Sequence, residues 1–148
     1  AQALFYKGYT YQQLKRPDDA IKQYDKALSL DPGNVSAASA LAVIKAGRKQ
    51  YDEALAILDN LIVRKPSTAS LYEVRGNMQM ELGRNELALY DFNKALELDP
   101  NNAINYINRA ILYGRKKQKA LSENDLQHAQ ELGAPAEAIE AALNHQQK

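Results

Sequence analysis

Few side chains in this chain have the chemistry of a reactive centre. Among 148 residues there are two histidines, His128 and His145, and no cysteine. Thiolate nucleophiles, thiolate metal ligands and disulfides are therefore ruled out. One imidazole falls on the outer side of a helical segment and the other near the carboxyl end, so both read as solvated surface groups. There is no HExxH, no GxxxxGKS/T and no glycine-rich loop after a strand. The 18 carboxylates are interspersed with 19 basic residues on polar helix faces, a solvated arrangement that carries no acid–base signal. The expectation is a non-enzyme with no catalytic residues, no metal site and no cofactor. Arg115, Lys116, Lys117 and Lys119 concentrate positive charge that could meet a phosphate or an acidic partner. With a net charge of +1 and no aromatic residues interleaved, the cluster reads as a solvated turn, and nucleic acid is not expected as a partner. No apolar run approaches the roughly 18 residues of a membrane span, so membrane insertion is not expected either. No targeting segment is visible, which leaves localisation unknown.

What remains is the chemistry of recognition, and its residues must be positioned by something periodic. Pro32, Pro66 and Pro100 recur with a period of 34, closing phrases such as ALSLDPGN (27–34) and ALELDPNN (95–102). A fixed period of this length means stacked supersecondary units. Shifting by that period aligns four repeats, about 1–34, 35–68, 69–102 and 103–134. One column reads Gly8, Ala42, Gly76, Ala110; another Ala20, Ala54, Ala88, Ser122; a third Tyr24, Leu58, Phe92, Leu126; a fourth Ala27, Leu61, Ala95, Ala129.

Apolar residues within each repeat follow helical spacing, as in Ala20, Ile21, Tyr24, Ala27 and Leu28. Small residues let two helix backbones approach, and the large residue fills the gap between them. Asp18, Asp52 and Asn85 are predicted to cap the second helix of their repeats. No segment alternates with period two, so no strand is predicted. Ser122-Glu123 interrupts the pattern of the fourth repeat and predicts a shift of its second helix by a residue or two. In the second repeat, Leu61 is expected to fill part of the space left by Ala38. Residues 135–147 read as a capping helix, with Ile139, Ala142 and Leu143 on its apolar stripe.

Taken together, Leu4, Gly8, Tyr11, Ala20, Tyr24, Ala27 and Pro32, with Tyr72, Gly76, Ala88, Phe92, Ala95 and Pro100, resemble the tetratricopeptide repeat family. The resemblance covers about residues 1–134 and weakens in the second repeat, where Ala38 and Lys45 replace bulky and aromatic residues. It implies an all-α, right-handed α-solenoid of four helix-turn-helix repeats plus the carboxyl-terminal cap, forming a single domain over 1–148. It also implies a non-catalytic protein–protein interaction module, whose first helices line a concave groove.

The residues expected to line that groove are Phe5, Tyr6, Tyr9, Val43, Glu73, Asn77, Ile104, Ile107, Asn108 and Ile111. The implied ligand is a partner protein or peptide segment, with apolar burial at both ends and the amides of Asn77 and Asn108 meeting its backbone. Some members of the family clamp acidic EEVD-type tails. Glu73 stands where such a clamp needs a lysine, so an acidic tail is not expected to bind. The alternative readings are self-assembly, in which Leu4, Phe5 and Tyr6 pack end-on against another copy, or a regulatory segment of a larger protein. The expected state is a monomer or a weak end-to-end associate.

Overall fold

The computed structural model describes residues 1–146. Among them are nine α-helices and no strand: α1 (Gln2–Gln13), α2 (Pro17–Leu30), α3 (Val35–Gly47), α4 (Tyr51–Arg64), α5 (Ala69–Glu81), α6 (Asn85–Leu98), α7 (Ala103–Arg115), α8 (Lys119–Glu131) and α9 (Ala136–Gln146). The fold is an all-α helical-repeat solenoid. Contacts divide it into an amino-terminal unit, Ala1–Val74, and a carboxyl-terminal unit from Arg75 onward, so α5 carries residues of both.

Each first helix ends in the same tight turn. Lys15, Lys49, Gly83 and Lys117 recur at the repeat period, with φ of 57°, 65°, 70° and 58°. The amide that follows each one bonds five residues back, Arg16 to Tyr11, Gln50 to Lys45, Arg84 to Gln79 and Gln118 to Tyr113, all at 2.9 Å. This is the left-handed helix cap, which satisfies carbonyls the helix would otherwise leave open. Only Gly83 adopts that conformation without a Cβ penalty.

The turn also corrects the predicted caps. Arg16, Gln50 and Arg84 occupy the cap positions and make no side-chain capping bond. Asp18 and Asp52 are instead the second residues of α2 and α4, and Asn85 is the first residue of α6. The turn's own hydrogen bonds already fix the helix entry, and the two aspartates face the positive end of the helix dipole. Side-chain capping occurs on the other turn. Asp31 Oδ1 accepts from Gly33 N at 3.0 Å, and Asn34 Oδ1 accepts from Ala37 N at 2.9 Å. Asp99 and Asn102 repeat the arrangement with Asn101 N and Asn105 N, both at 3.2 Å. The recurring DPxN phrase therefore turns the chain with its aspartate and starts the next helix with its asparagine.

All four aligned columns are buried. In the amino-terminal unit, Ala20, Tyr24, Ala27, Ala37 and Leu41 form one cluster, against which Leu4, Phe5 and Ile57 also pack. A Cβ added at Gly8 would lie 2.6 Å from Tyr24 Cε1, so the glycine makes room for the ring. Leu61 is buried beside Ala38 as expected, yet an open cleft remains there. In the carboxyl-terminal unit, Ala88, Phe92 and Leu112 form one cluster, and Ala110, Ile111, Leu126 and Ala142 a second. Helix α8 begins at Lys119, in step with the starts of α2, α4 and α6, so the predicted shift of that helix does not occur. Ser122 simply takes the small-residue position and is buried. Helix α9 lays Ala142 and Ile139 on α7, and Gln147 lies outside the described residues.

Tyr24 is fully buried and its hydroxyl donates to Gln12 Oε1 at 2.9 Å. Burial pushes the phenol above its ordinary value of 10.0, and the neighbouring Tyr9 adds to the shift. The folded state then holds this proton more tightly than the unfolded chain does. The contribution of Tyr24 is constant below about pH 10 and is lost as the pH rises further. Tyr24→Phe should lose about 1 kcal/mol at neutral pH with its hydrogen bond, yet show a shallower alkaline decline than the parent. Urea midpoints across about pH 9 to 11 check this; parallel declines would show that Tyr24 does not contribute.

Candidate functional site

The expected binding residues divide between the two units. In the amino-terminal unit, Tyr6 and Tyr9 are 57% and 50% exposed, one turn apart on α1. Phe5 is half-buried and holds them from beneath, with ring centroids 5.4 Å from Tyr6, 6.5 Å from Tyr9 and 5.9 Å from Tyr24. Phe5 in turn lies against the buried Tyr24, which links the exposed pair to the core. Val43 is exposed on α3, the helix that touches α1. Glu73 is partly buried on α5.

In the carboxyl-terminal unit, Asn108 Nδ2 donates to Asn77 Oδ1 at 2.9 Å, which ties α7 to α5. The two amides thus meet each other first, and each keeps three of its four hydrogen-bonding positions. Ile104 is 59% exposed. Ile111 is a correction: it is only 8% exposed and belongs to the core cluster with Ala110, Leu126 and Ala142, because α9 covers that side of α7. Ile107 is partly buried against the same cluster.

Three of the four basic residues of the α7–α8 turn have polar partners. Lys116 meets Glu86 at 2.7 Å, Lys119 meets Glu123 at 3.6 Å, and Arg115 donates to Asn85 at 3.1 Å. His128 is exposed but lies against Tyr106, with ring centroids 4.6 Å apart. Among the described residues no group of three His, Cys, Asp or Glu side chains could hold a metal ion, and no helix is long and apolar enough to cross a membrane.

Two buried ion pairs escaped the sequence reading. Arg75 grips Asp91 with Nε at 3.0 Å and Nη2 at 2.6 Å. Arg109 grips Asp125 with Nε at 2.7 Å and Nη2 at 2.8 Å, and also donates to Asn93 at 2.8 Å. The hydrogen bonds that Arg109 donates to Asp125 raise Arg109 above its ordinary value, against the opposing effect of burial. Its guanidinium also lies 5.5 Å and 5.7 Å from the Tyr106 and Tyr113 ring centroids. The signal was present in the sequence: Arg75 and Arg109 form one column of the repeat, Asp91 and Asp125 another. Both pairs join the two helices of one hairpin and are structural.

This helical-repeat architecture, with its small-and-large columns, defines a class of repeat folds that generally serve as non-catalytic scaffolds. Two tetratricopeptide repeat profiles match the chain, one described as tetratricopeptide repeat over residues 1–34 and one as TPR repeat over residues 76–117. The chain belongs to the tetratricopeptide repeat family. It is similar to human tetratricopeptide repeat protein 13, 31% identical over 78% of this chain and 14% of the relative. It is also similar to the TPR repeat-containing protein MJ1428 of Methanocaldococcus jannaschii, 32% identical over 71% of this chain and 18% of the relative. The chain thus spans under a quarter of the length of these curated relatives. Its fold matches the crystal structure of TTC0263, a thermophilic TPR protein of Thermus thermophilus. The TM-score is 0.80 at 24% identity, covering 98% of this chain and 80% of that one. Such membership implies protein partners in general.

Proposed function

We propose that this chain is a non-catalytic module that holds a segment of a partner protein against the first helices of its repeats. The observation that carries the reading is the pair of exposed tyrosines on α1, Tyr6 and Tyr9, braced by Phe5. Tyrosines are enriched among the few residues that carry most of the binding energy at protein interfaces. Val43 extends the apolar surface of the amino-terminal unit. Ile104 and the remaining hydrogen-bonding positions of the Asn77 and Asn108 amides supply contacts in the carboxyl-terminal unit. Glu73 places a carboxylate on a first helix, which disfavours an acidic tail as the ligand.

Tyr6→Ala/Tyr9→Ala tests the proposal. The double variant should keep its helical circular dichroism, since neither ring is in the core. Partner affinity should fall roughly 30-fold or more, the loss of an aromatic hot spot worth about 2 kcal/mol. The partner is first captured with the wild-type chain and then titrated against both proteins. Undiminished binding by the folded double variant would move the binding surface elsewhere. Sedimentation of wild type and variant reads the self-assembly alternative directly, because concentration-dependent mass lost with the two rings would assign α1 to a contact between copies.

A further inference from the structure

The first turn of α3 carries an imprint of a side chain that the next two repeats possess. Tyr72 and Tyr106 occupy equivalent positions in the third and fourth repeats. Each hydroxyl donates to the carbonyl of the proline six residues earlier. Tyr72 reaches Pro66 O at 2.9 Å, and Tyr106 reaches Pro100 O at 3.1 Å. The equivalent residue in the second repeat is Ala38, again six residues after a proline, Pro32.

A cleft of about 360 Å³ opens at that position. Ala38 and Leu61, both 2% exposed, form its floor, Leu28 and Ile57 its walls, and Pro32 and Asn60 its exposed rim. Leu61 stands where the third and fourth repeats have Ala95 and Ala129, so it takes back part of the space, but the cleft stays open. An apolar cavity of about 150 Å³ is already large enough to bind benzene. The site is therefore roomy enough for one aromatic ring, apolar at its base, and bordered by the proline whose counterparts accept a phenol hydroxyl.

We propose that this cleft receives a tyrosine side chain from a partner polypeptide, its ring on Ala38 and Leu61 and its hydroxyl donating to the Pro32 carbonyl. The chain's own Tyr72 and Tyr106 supply the template for ring and hydroxyl together. The site lies among α2, α3 and α4, apart from the exposed tyrosines of α1, and does not depend on the reading of that face.

The test is an NMR titration of the whole chain with p-cresol, the side-chain analogue of tyrosine, and with N-acetyltyrosine amide. Both should produce saturable shifts concentrated on the methyl groups of Ala38, Ala56, Ile57 and Leu61. Toluene and N-acetylphenylalanine amide, which lack the hydroxyl, should bind about fivefold more weakly, the value of one hydrogen bond. Ala38→Tyr/Leu61→Ala recreates the residue pair of the third repeat and should abolish p-cresol binding while keeping the helical content. The wild-type titrations stand without that variant. Absence of saturable shifts, equal affinity for toluene and p-cresol, or binding of p-cresol without N-acetyltyrosine amide would each overturn the proposal, the last by assigning the cleft to a free phenol.

Discussion

Arg109→Leu should destabilise the carboxyl-terminal unit by about 3–5 kcal/mol, the usual result of leaving a buried charge without its partner. The Asp125 side chain is only 3% exposed and both its oxygens accept from Arg109. Without the guanidinium, the buried carboxylate loses both of those bonds. Arg109→Leu with Asp125→Ile should recover most of the loss, because a buried ion pair is worth little more than a well-packed apolar pair of similar volume. The chain has already built that apolar alternative. In the second repeat the equivalent positions are Leu41 and Ile57, which pack in the amino-terminal core. Recovery should stop about 1 kcal/mol short, since Asn93 also loses its bond to Arg109. Urea unfolding followed by far-ultraviolet circular dichroism gives all three midpoints. A double variant as unstable as Arg109→Leu alone would mean that the hairpin requires the ion pair itself.

This exchange of polar for apolar partners explains what was and was not legible in the sequence. The helical hairpins were legible because Gly8, Ala20, Tyr24 and Ala27 and their equivalents obey close-packing rules that tolerate few alternatives. The two arginine–aspartate pairs were not, because an Arg on a helix is by default a solvated residue. Only the aspartate that folding brings up on the facing helix turns it into a core element. The caps were misplaced for a related reason. Asp18 and Asp52 have the right chemistry close to the start of a helix, but the backbone bonds of the preceding left-handed turn decide where that start falls.

The candidate site was legible unevenly. Tyr6, Tyr9, Val43 and Ile104 are exposed where the repeat pattern put them. Ile111 is not, because α9 packs against that side of α7. In the last repeat α9 covers a face that would otherwise meet another repeat, and the residue beneath becomes core. Ala38 shows the converse. Read alone it is only a break in a column, and the structure turns that break into a cleft of defined size.

Phe92→Ala should cost about 3–5 kcal/mol, since the ring is fully buried between α5 and α6 and leaves a large cavity. The more informative variant is Phe92→Leu combined with Gly76→Ala. Across the four hairpins the paired positions read Gly8 with Tyr24, Ala42 with Leu58, Gly76 with Phe92, and Ala110 with Leu126. Glycine accompanies an aromatic ring and alanine accompanies leucine, which is volume complementarity across one helix contact. A Cβ at Gly76 would sit 3.1 Å from Phe92 Cε1 and 3.2 Å from Asp91 Cβ. Gly76→Ala alone therefore sets a tight contact against the roughly 1 kcal/mol that alanine gains over glycine in a helix. Phe92→Leu alone leaves space unfilled. Together they should be more stable than the sum of the single effects predicts, with a coupling of about 0.5–3 kcal/mol. Chemical unfolding of the four proteins measures that coupling. Additivity within about 0.3–0.5 kcal/mol would show that the two columns vary independently and that the pairing seen across the repeats does not set their stability.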